Sequence, residues 1–448
     1  MLKTLVGAFK NKDIRKKILY TLMILVIVRV GSLLPIPGVD TEYFSSLLSG
    51  INTGDLSYLS AFTGGSFERM SLFALSITPY ITSSIIMQLL AIAIPKLEEM
   101  QKEGEDGRKK IAAITRYVTI ALALIESIAM AVGFGRSGLI KGYQGFSTLH
   151  YIVSIIVVVA ALTAGSAMLM WLGERITDKG IGNGISLIIM VGIIARLPQS
   201  FSGEFVSRLA SPGAGGIIMF LIELVCLLAV IAAAILLVQG VRKVPVQYAK
   251  RIVGNKQYGG ARQYIPLKVN AANVMPIIFA QAIMFIPITI VGYSNIDNAS
   301  GIARALIDHT GFWYNFVFAV LIILFTYFYT AITINTTQMA EDMKRNNGFI
   351  PGIKPGKNTA EYLDVIMSRI TLPGSIFLAL VAIMPAFAGI FGVKAEFAQF
   401  FGGTSLLILV GVVLDTLQQV ESHLLMRHYD GLLNSGRIKG RAGNVAAY

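Results

Sequence analysis

The sequence predicts an all-α polytopic membrane protein: ten transmembrane helices in two pseudo-symmetric, inverted-repeat halves of five, with a re-entrant element and protruding cytoplasmic loops. Three observations carry this. Of 448 residues, 54% are hydrophobic and only 14% charged, against about 25% charged in soluble domains. The apolar residues gather into runs long enough to cross a bilayer. Two of those runs are interrupted by proline at corresponding places, the second and the seventh of ten, which is the sequence mark of an inverted repeat with a pathway at its interface.

The first run, 18–34, follows Lys10, Lys12, Arg15, Lys16 and Lys17. It is too long for a signal-peptide core and has no small-residue cleavage pattern, so it reads as a retained span. Further runs lie at 70–95, 111–133, 150–172, 183–198, 215–240, 270–292, 312–334, 371–392 and 403–426. The halves are then 1–200 and 214–427, joined by an external connector at 201–213 and followed by a cytoplasmic tail at 428–448.

An even number of spans puts both termini on one side. The loops on that side hold 29 Lys and Arg against 13 Asp and Glu, and the opposite loops hold six basic residues against eight acidic ones. By the positive-inside rule both termini are cytoplasmic, and the net charge of +13 is mostly this asymmetry. Topology alone is one reading of that excess. The loop 241–268 asks for more, because Arg242, Lys243, Lys250, Arg251, Lys256, Arg262 and Lys268 occur in it without one acidic residue. Its residues 244–248 and 261–265 alternate apolar and polar around Gly254-Asn255 and Gly259-Gly260, which predicts a projecting β-hairpin. A basic hairpin of this kind suits an acidic partner, either RNA or an acidic protein surface.

Several chemistries find no support. Gly356-Lys357 is followed by Asn358 and lacks the upstream glycine of a phosphate loop, and Gly180-Ile181-Gly182-Asn183-Gly184 opens no βαβ unit. The lone Cys226 excludes a disulfide framework. The four histidines have no ligand spacing. We therefore expect no catalysis, no cofactor and no metal, so that work against a gradient must be powered by a partner or an ion gradient.

The interrupted second span contains Ser76-Ile77-Thr78-Pro79-Tyr80-Ile81. The seventh contains Val274-Met275-Pro276-Ile277-Ile278, and then Pro287. Midplane carboxylates of the kind that ion-coupled transporters use are missing from both; the charges inside spans are Arg29, Arg116, Glu126, Arg196, Glu223, Asp415 and Glu421. Isoleucines stand there instead, with Ile77 and Ile81 on one helix face. Such residues can be lipid-facing or core. As a constriction they would exclude water and ions by dewetting while offering a moving substrate nothing to adhere to. The segment 35–69 is too short and polar to span, yet apolar enough to tuck in; it reads as a re-entrant element or an ordinary external loop.

The chain carries Arg29-Val30-Gly31-Ser32 with Pro35-Ile36-Pro37-Gly38, Phe62-Thr63-Gly64-Gly65, Pro79-Tyr80-Ile81 with Ile86-Met87-Gln88-Leu89-Leu90, Glu103-Gly104-Glu105 with Gly107-Arg108-Lys109-Lys110, Met170-Trp171-Leu172-Gly173-Glu174, Gly180-Ile181-Gly182-Asn183-Gly184, Pro266-Leu267-Lys268-Val269-Asn270 and Phe401-Gly402-Gly403-Thr404-Ser405-Leu406-Leu407. In their order and spacing these segments make a resemblance, along nearly the whole chain, to the SecY family of protein-secretion channels. It implies a channel for unfolded polypeptides that opens sideways to release hydrophobic segments into lipid.

By motif position the resemblance implies a pore ring of Ile77, Ile81, Ile189, Ile278 and Ile408. It implies a plug at about 55–69 that includes Leu59, Ala61, Phe62, Gly64 and Gly65, and a lateral gate with Gln88 as a member. Contacts for a motor and a ribosome fall on Lys250, Arg251 and Lys354, in the loops 241–268 and 335–370. At Lys354 the chain departs from the arginine usual in bacterial members, and lysine lacks the planar bidentate fork. Implied partners are the small membrane subunits SecE and SecG, the motor ATPase SecA, the ribosome with its RNA, signal sequences and nascent chains, and the lipid bilayer of a bacterial plasma membrane. The alternatives kept beside this reading are a secondary transporter of a small solute and a membrane scaffold or receptor.

Overall fold

A computed structural model of the chain describes residues 11–42, 65–134, 148–210, 216–248, 251–253, 256–258, 262–272, 274–281, 283–284 and 311–434. The helices are α1 (Lys12–Gly31), α2 (Thr78–Ala93), α3 (Pro95–Lys102), α4 (Glu105–Phe134), α5 (Thr148–Lys179), α6 (Gly184–Ala210), α7 (Gly216–Gln239), α8 (Phe312–Thr333), α9 (Thr336–Arg345), α10 (Lys357–Ile390), α11 (Ala395–Ala398) and α12 (Gly403–Asn434). The strands are β1 (Val241–Tyr248), β2 (Arg251–Val253), β3 (Lys256–Tyr258), β4 (Arg262–Lys268) and β5 (Gly348–Phe349). Among the described residues seven helices are long and apolar enough to cross a membrane, and eight if α2 and α3, which meet at a sharp bend, form one broken span. Of the ten expected stretches, the first is α1, and the seventh is described only in its first part, to residue 284, with Pro287 outside the described residues.

The chain forms two compact units, residues 1–196 with 412–448, and residues 197–411. In the first, α2 packs on α4, α4 on α5, and α1 on α5. Side chains of α1 such as Val26 (61% exposed) and Leu19 face outward, as lipid-facing positions must when apolar exposure costs nothing. Inward, Met70, Ala74, Met130, Ala131, Val158 and Leu162 close a core beneath the turn segment 65–77. Gly165 of α5 lets the helix approach that segment until its Cα lies against the Leu72 carbonyl, where a Cβ has no room.

The sequence Gly180–Gly184, read above as no nucleotide site and as one segment of the family resemblance, proves to be a tie point of the first unit. The Ile181 amide donates to Thr21 Oγ1 of α1 at 3.1 Å, and the Gly182 amide to Gln419 Oε1 of α12 at 3.0 Å. Asn183 Oδ1 then caps α6 by accepting from the amides of Ile185 and Ser186. Gly182 sits at φ +86°, a conformation that a side chain resists. Ile14, Ile181 and Val420 seal the junction.

In the second unit α8 packs on α10, burying Tyr314, Phe318, Ile322, Thr326 and Thr330 at every fourth residue. The predicted hairpin is present: β1 and β4 pair antiparallel from Val241↔Lys268 to Gln247↔Arg262, with β2 and β3 forming a second antiparallel pair beyond them. β5 adds to the far end of β1 through Gln247↔Phe349 and Tyr248↔Gly348. Pro245 is tolerated in the central strand because β5 does not reach it, so its missing amide breaks no bond on that side.

Two expectations are corrected. Pro79 does not kink a continuous helix: residues 65–77 form turns, and α2 begins at Thr78 with Pro79 in its first turn, where a missing amide costs nothing. The fifth span does not end at 198. α6 runs through Pro198 to Ala210, so residues 201–210, read as connector, are helical. Phe201 and Phe205 hold that extension against Phe220 at centroid distances of 5.2 and 5.4 Å, which offsets the bond lost at the proline.

Candidate functional site: two proline-opened isoleucine helices and a basic loop module

Two stretches of chain in different units repeat one local design. At α2, the Ile77 carbonyl accepts the amides of Tyr80 at 3.0 Å and Ile81 at 3.1 Å. In the helical stretch at 275–281, the Val274 carbonyl accepts those of Ile277 at 3.1 Å and Ile278 at 3.4 Å. Each helix carries its proline, Pro79 or Pro276, in the first turn, and each brings an isoleucine to the fourth position from the capping carbonyl. Ile81 and Ile278 are therefore structural equivalents. Both side chains are half-buried, while Ile77, at the cap itself, is only 1% exposed.

Of the other ring candidates, Ile189 lies half-buried on α6 and Ile408 is buried on α12. Ile77, Ile81 and Ile189 belong to the first unit, Ile278 and Ile408 to the second. Gln88 lies on the exposed side of α2. Leu59, Ala61, Phe62 and Gly64 lie outside the described residues. Gly65 is described: it sits at φ +84°, and a Cβ there would lie 3.4 Å from Arg196 Nη2. The same Arg196 closes an ion pair with Glu68 at 2.6 Å, fixing the start of the turn segment to α6.

The two loops expected to carry motor and ribosome contacts are one folded module. β5 binds the second loop to the hairpin of the first. Beneath the sheet Val244, Val246 and Leu267 share a core with Met343, Ile350, Leu363 and Met367. α9 is capped by Asn335, whose side chain accepts the Gln338 amide at 3.1 Å, and it ends on Lys344 and Arg345. Arg242, Lys243, Lys268 and Lys354 are exposed on this module. The Lys354 carbonyl accepts from Thr359 Oγ1 at 2.9 Å, which anchors the loop while leaving the ammonium free in direction. Lys250 lies outside the described residues, and Arg251 pairs through its backbone with Tyr258.

A third constellation was missed as a unit. Arg208 of α6 donates Nε to Glu204 at 2.9 Å, and Nη2 both to Glu223 of α7 at 2.5 Å and to the Gly392 carbonyl at 2.9 Å. The Lys394 amide donates to the other Glu204 oxygen at 3.0 Å. Glu204 and Glu223 are 1% and 4% exposed. The i,i+4 spacing of Glu204 and Arg208 was a readable signal; the long-range partners were not.

Solved structures share this fold. A structure described as that of a protein conducting channel matches with a TM-score of 0.59 at 18% identity, over 93% of this chain and 94% of that one. Sec61 in the canine ribosome-channel complex from the endoplasmic reticulum matches with 0.57 at 18% identity over the same shares. At that identity the likeness speaks for the fold, which is that of the helical, multi-pass protein-conducting channels. Sequence likeness goes further. The SecY family profile matches residues 71–417. The protein translocase subunits SecY of Mycobacterium bovis and Halalkalibacterium halodurans are 41% and 43% identical, each over 97% of this chain and all of theirs. The chain belongs to the SecY family. The small-solute transporter, kept as an alternative above, finds no support among these relatives.

Proposed function

We propose that the chain is the channel subunit of a bacterial protein translocase, conducting unfolded secretory polypeptides across the plasma membrane and releasing hydrophobic segments sideways into the bilayer. The observation that carries this beyond family membership is the matched pair Ile81 and Ile278, each set at the same step of a proline-opened helix. We assign them, with Ile77, Ile189 and Ile408, to a pore ring of apolar side chains. Shut, the ring excludes ions by dewetting; open, it offers a passing chain no hydrogen bond or charge to adhere to. We assign the plug role to the segment 55–69 and a gate role to Gln88.

A signal sequence opens the channel by differential binding. Its apolar helix gains about 0.3–0.6 kcal/mol per Leu-type residue on entering lipid, and the sum over a segment offsets parting the gate and moving the plug. The driving energy comes from outside the chain: SecA or a ribosome docks on the basic module through Lys250, Arg251 and Lys354, with ribosomal RNA as one acidic surface it fits. SecE and SecG complete the membrane complex, and both termini lie in the cytoplasm.

The direct trial is reconstitution of the chain with SecE, SecG and SecA in proteoliposomes. A precursor bearing a signal sequence should become protease-protected in the presence of ATP, and a mature form lacking the signal should not. Absence of protection with every component folded would contradict the proposal.

A further inference from the structure

Among the described residues Arg29 of α1 has a place but no counter-charge. Its side chain is half-buried, and among the described residues it has no hydrogen-bond or ion-pair partner. The other arginines inside spans do: Arg116 pairs with Glu174 at 2.7 Å and Arg196 with Glu68 at 2.6 Å. Burial strips water from Arg29, and the charged neighbours that act on it, Arg69 and Arg196, are both cations. An ionised group in the membrane is retained only where something neutralises it.

What faces Arg29 is a small cavity of about 20 Å³, lined among others by Ser32, Ser66, Ser76, Phe73 and Ile188. One water needs about 10–15 Å³ of such space, so the cavity, which is partly open on one side, has room for a single small species such as a monatomic ion. Two main-chain acceptors on its wall already accept other groups: the Ser66 carbonyl accepts Ser71 Oγ at 3.1 Å, and that of Ser76 accepts Ser166 Oγ at 3.3 Å. Ser76 is held at φ +52°, a strained conformation for a residue with a side chain, directly before Ile77. We propose that this cavity binds a monovalent anion the size of chloride, with Arg29 as its principal ligand and the Ser66 hydroxyl as a second donor. The ion would neutralise the arginine cluster and tie α1 to the turn segment that presents Ile77.

The probe is radioactive chloride, measured by equilibrium dialysis on the full chain in nanodiscs, in gluconate buffer of constant ionic strength. The expected result is saturable binding of one chloride per chain. Arg29→Gln should weaken it at least about tenfold, and Ser66→Ala several-fold, as the loss of a charge-assisted and a neutral hydrogen bond respectively. Thermal midpoints should rise with chloride and not with gluconate in the parent chain. If Arg29→Gln fails to fold, Arg29→Lys and Ser66→Ala carry the comparison. No saturable chloride binding by the parent chain, or binding unchanged in the folded variants, would overturn the proposal.

Discussion

Ile81 and Ile278 each donate a backbone amide to the carbonyl four residues earlier, Ile77 at 3.1 Å and Val274 at 3.4 Å, across the first turn of a helix that proline opens. The fixed proline φ starts the helix and sets the rotation at which the isoleucine emerges, so the equivalence is a backbone property and survives side-chain change. Substitution at either position should then have the same effect. Ile81→Asn and Ile278→Asn should each raise ion conductance in planar bilayers and relax signal-sequence stringency, because a polar side chain rewets the constriction. Conductance unchanged in both would remove them from the ring.

The buried Arg208 cluster predicts a stability effect away from the pathway. Arg208→Ala leaves Glu204 and Glu223 buried without their cation and should cost about 3–5 kcal/mol, read as a lowered thermal midpoint in detergent. Replacing all three by apolar residues of similar volume should restore most of the loss, since the desolvation penalty goes with the charges. A neutral effect of Arg208→Ala would contradict the cluster.

The basic module should fail as one piece. Leu363 is fully buried under the sheet, so Leu363→Ala should cost about 2–5 kcal/mol. Hydrogen exchange should then speed up in both 241–248 and 348–349, although these strands lie a hundred residues apart, while the spans keep their protection. Acceleration in one loop alone would mean that the two loops fold separately.

Lys354 tests how the module meets its partner. The anchoring bond from Thr359 holds the loop backbone and leaves the side chain as a point charge. Lys354→Ala should weaken binding of the motor or ribosome, and the loss should shrink at high salt. Lys354→Arg should bind at least as tightly as the parent, since it adds the bidentate fork. Weaker binding of the arginine form would mean that the site is built around lysine.

Much of this was legible beforehand. Most of the spans and the basic hairpin follow from composition and alternation, and proline placement singles out Ile77, Ile81 and Ile278 as pore candidates. Ile189 and Ile408 do not, because one apolar residue in an apolar helix leaves no signal; they came from family likeness alone. β5 is two residues long, too short for any pattern, so the union of the two loops was hidden. Pro79 was seen but misread, since a proline inside an apolar run looks alike whether it kinks a helix or starts one. The end set at 198 fell short because the aromatic contacts that carry α6 past Pro198 come from Phe220, on the next helix. Gly180–Gly184 gave up its role only when Thr21 and Gln419 were seen to converge on it.

The polypeptide path can be tested most directly by crosslinking a stalled secretory precursor to single cysteines at Ile77, Ile81, Ile189, Ile278 and Ile408. The exposed native Cys226 must first be removed, and outward-facing Leu236 and Ile218, 73% and 71% exposed, serve as controls. Adducts at the five isoleucines and none at the controls are expected when the membranes are supplied with a translocation motor. Adducts at the controls, or none at the ring in a folded and engaged complex, would mean that the polypeptide takes another route.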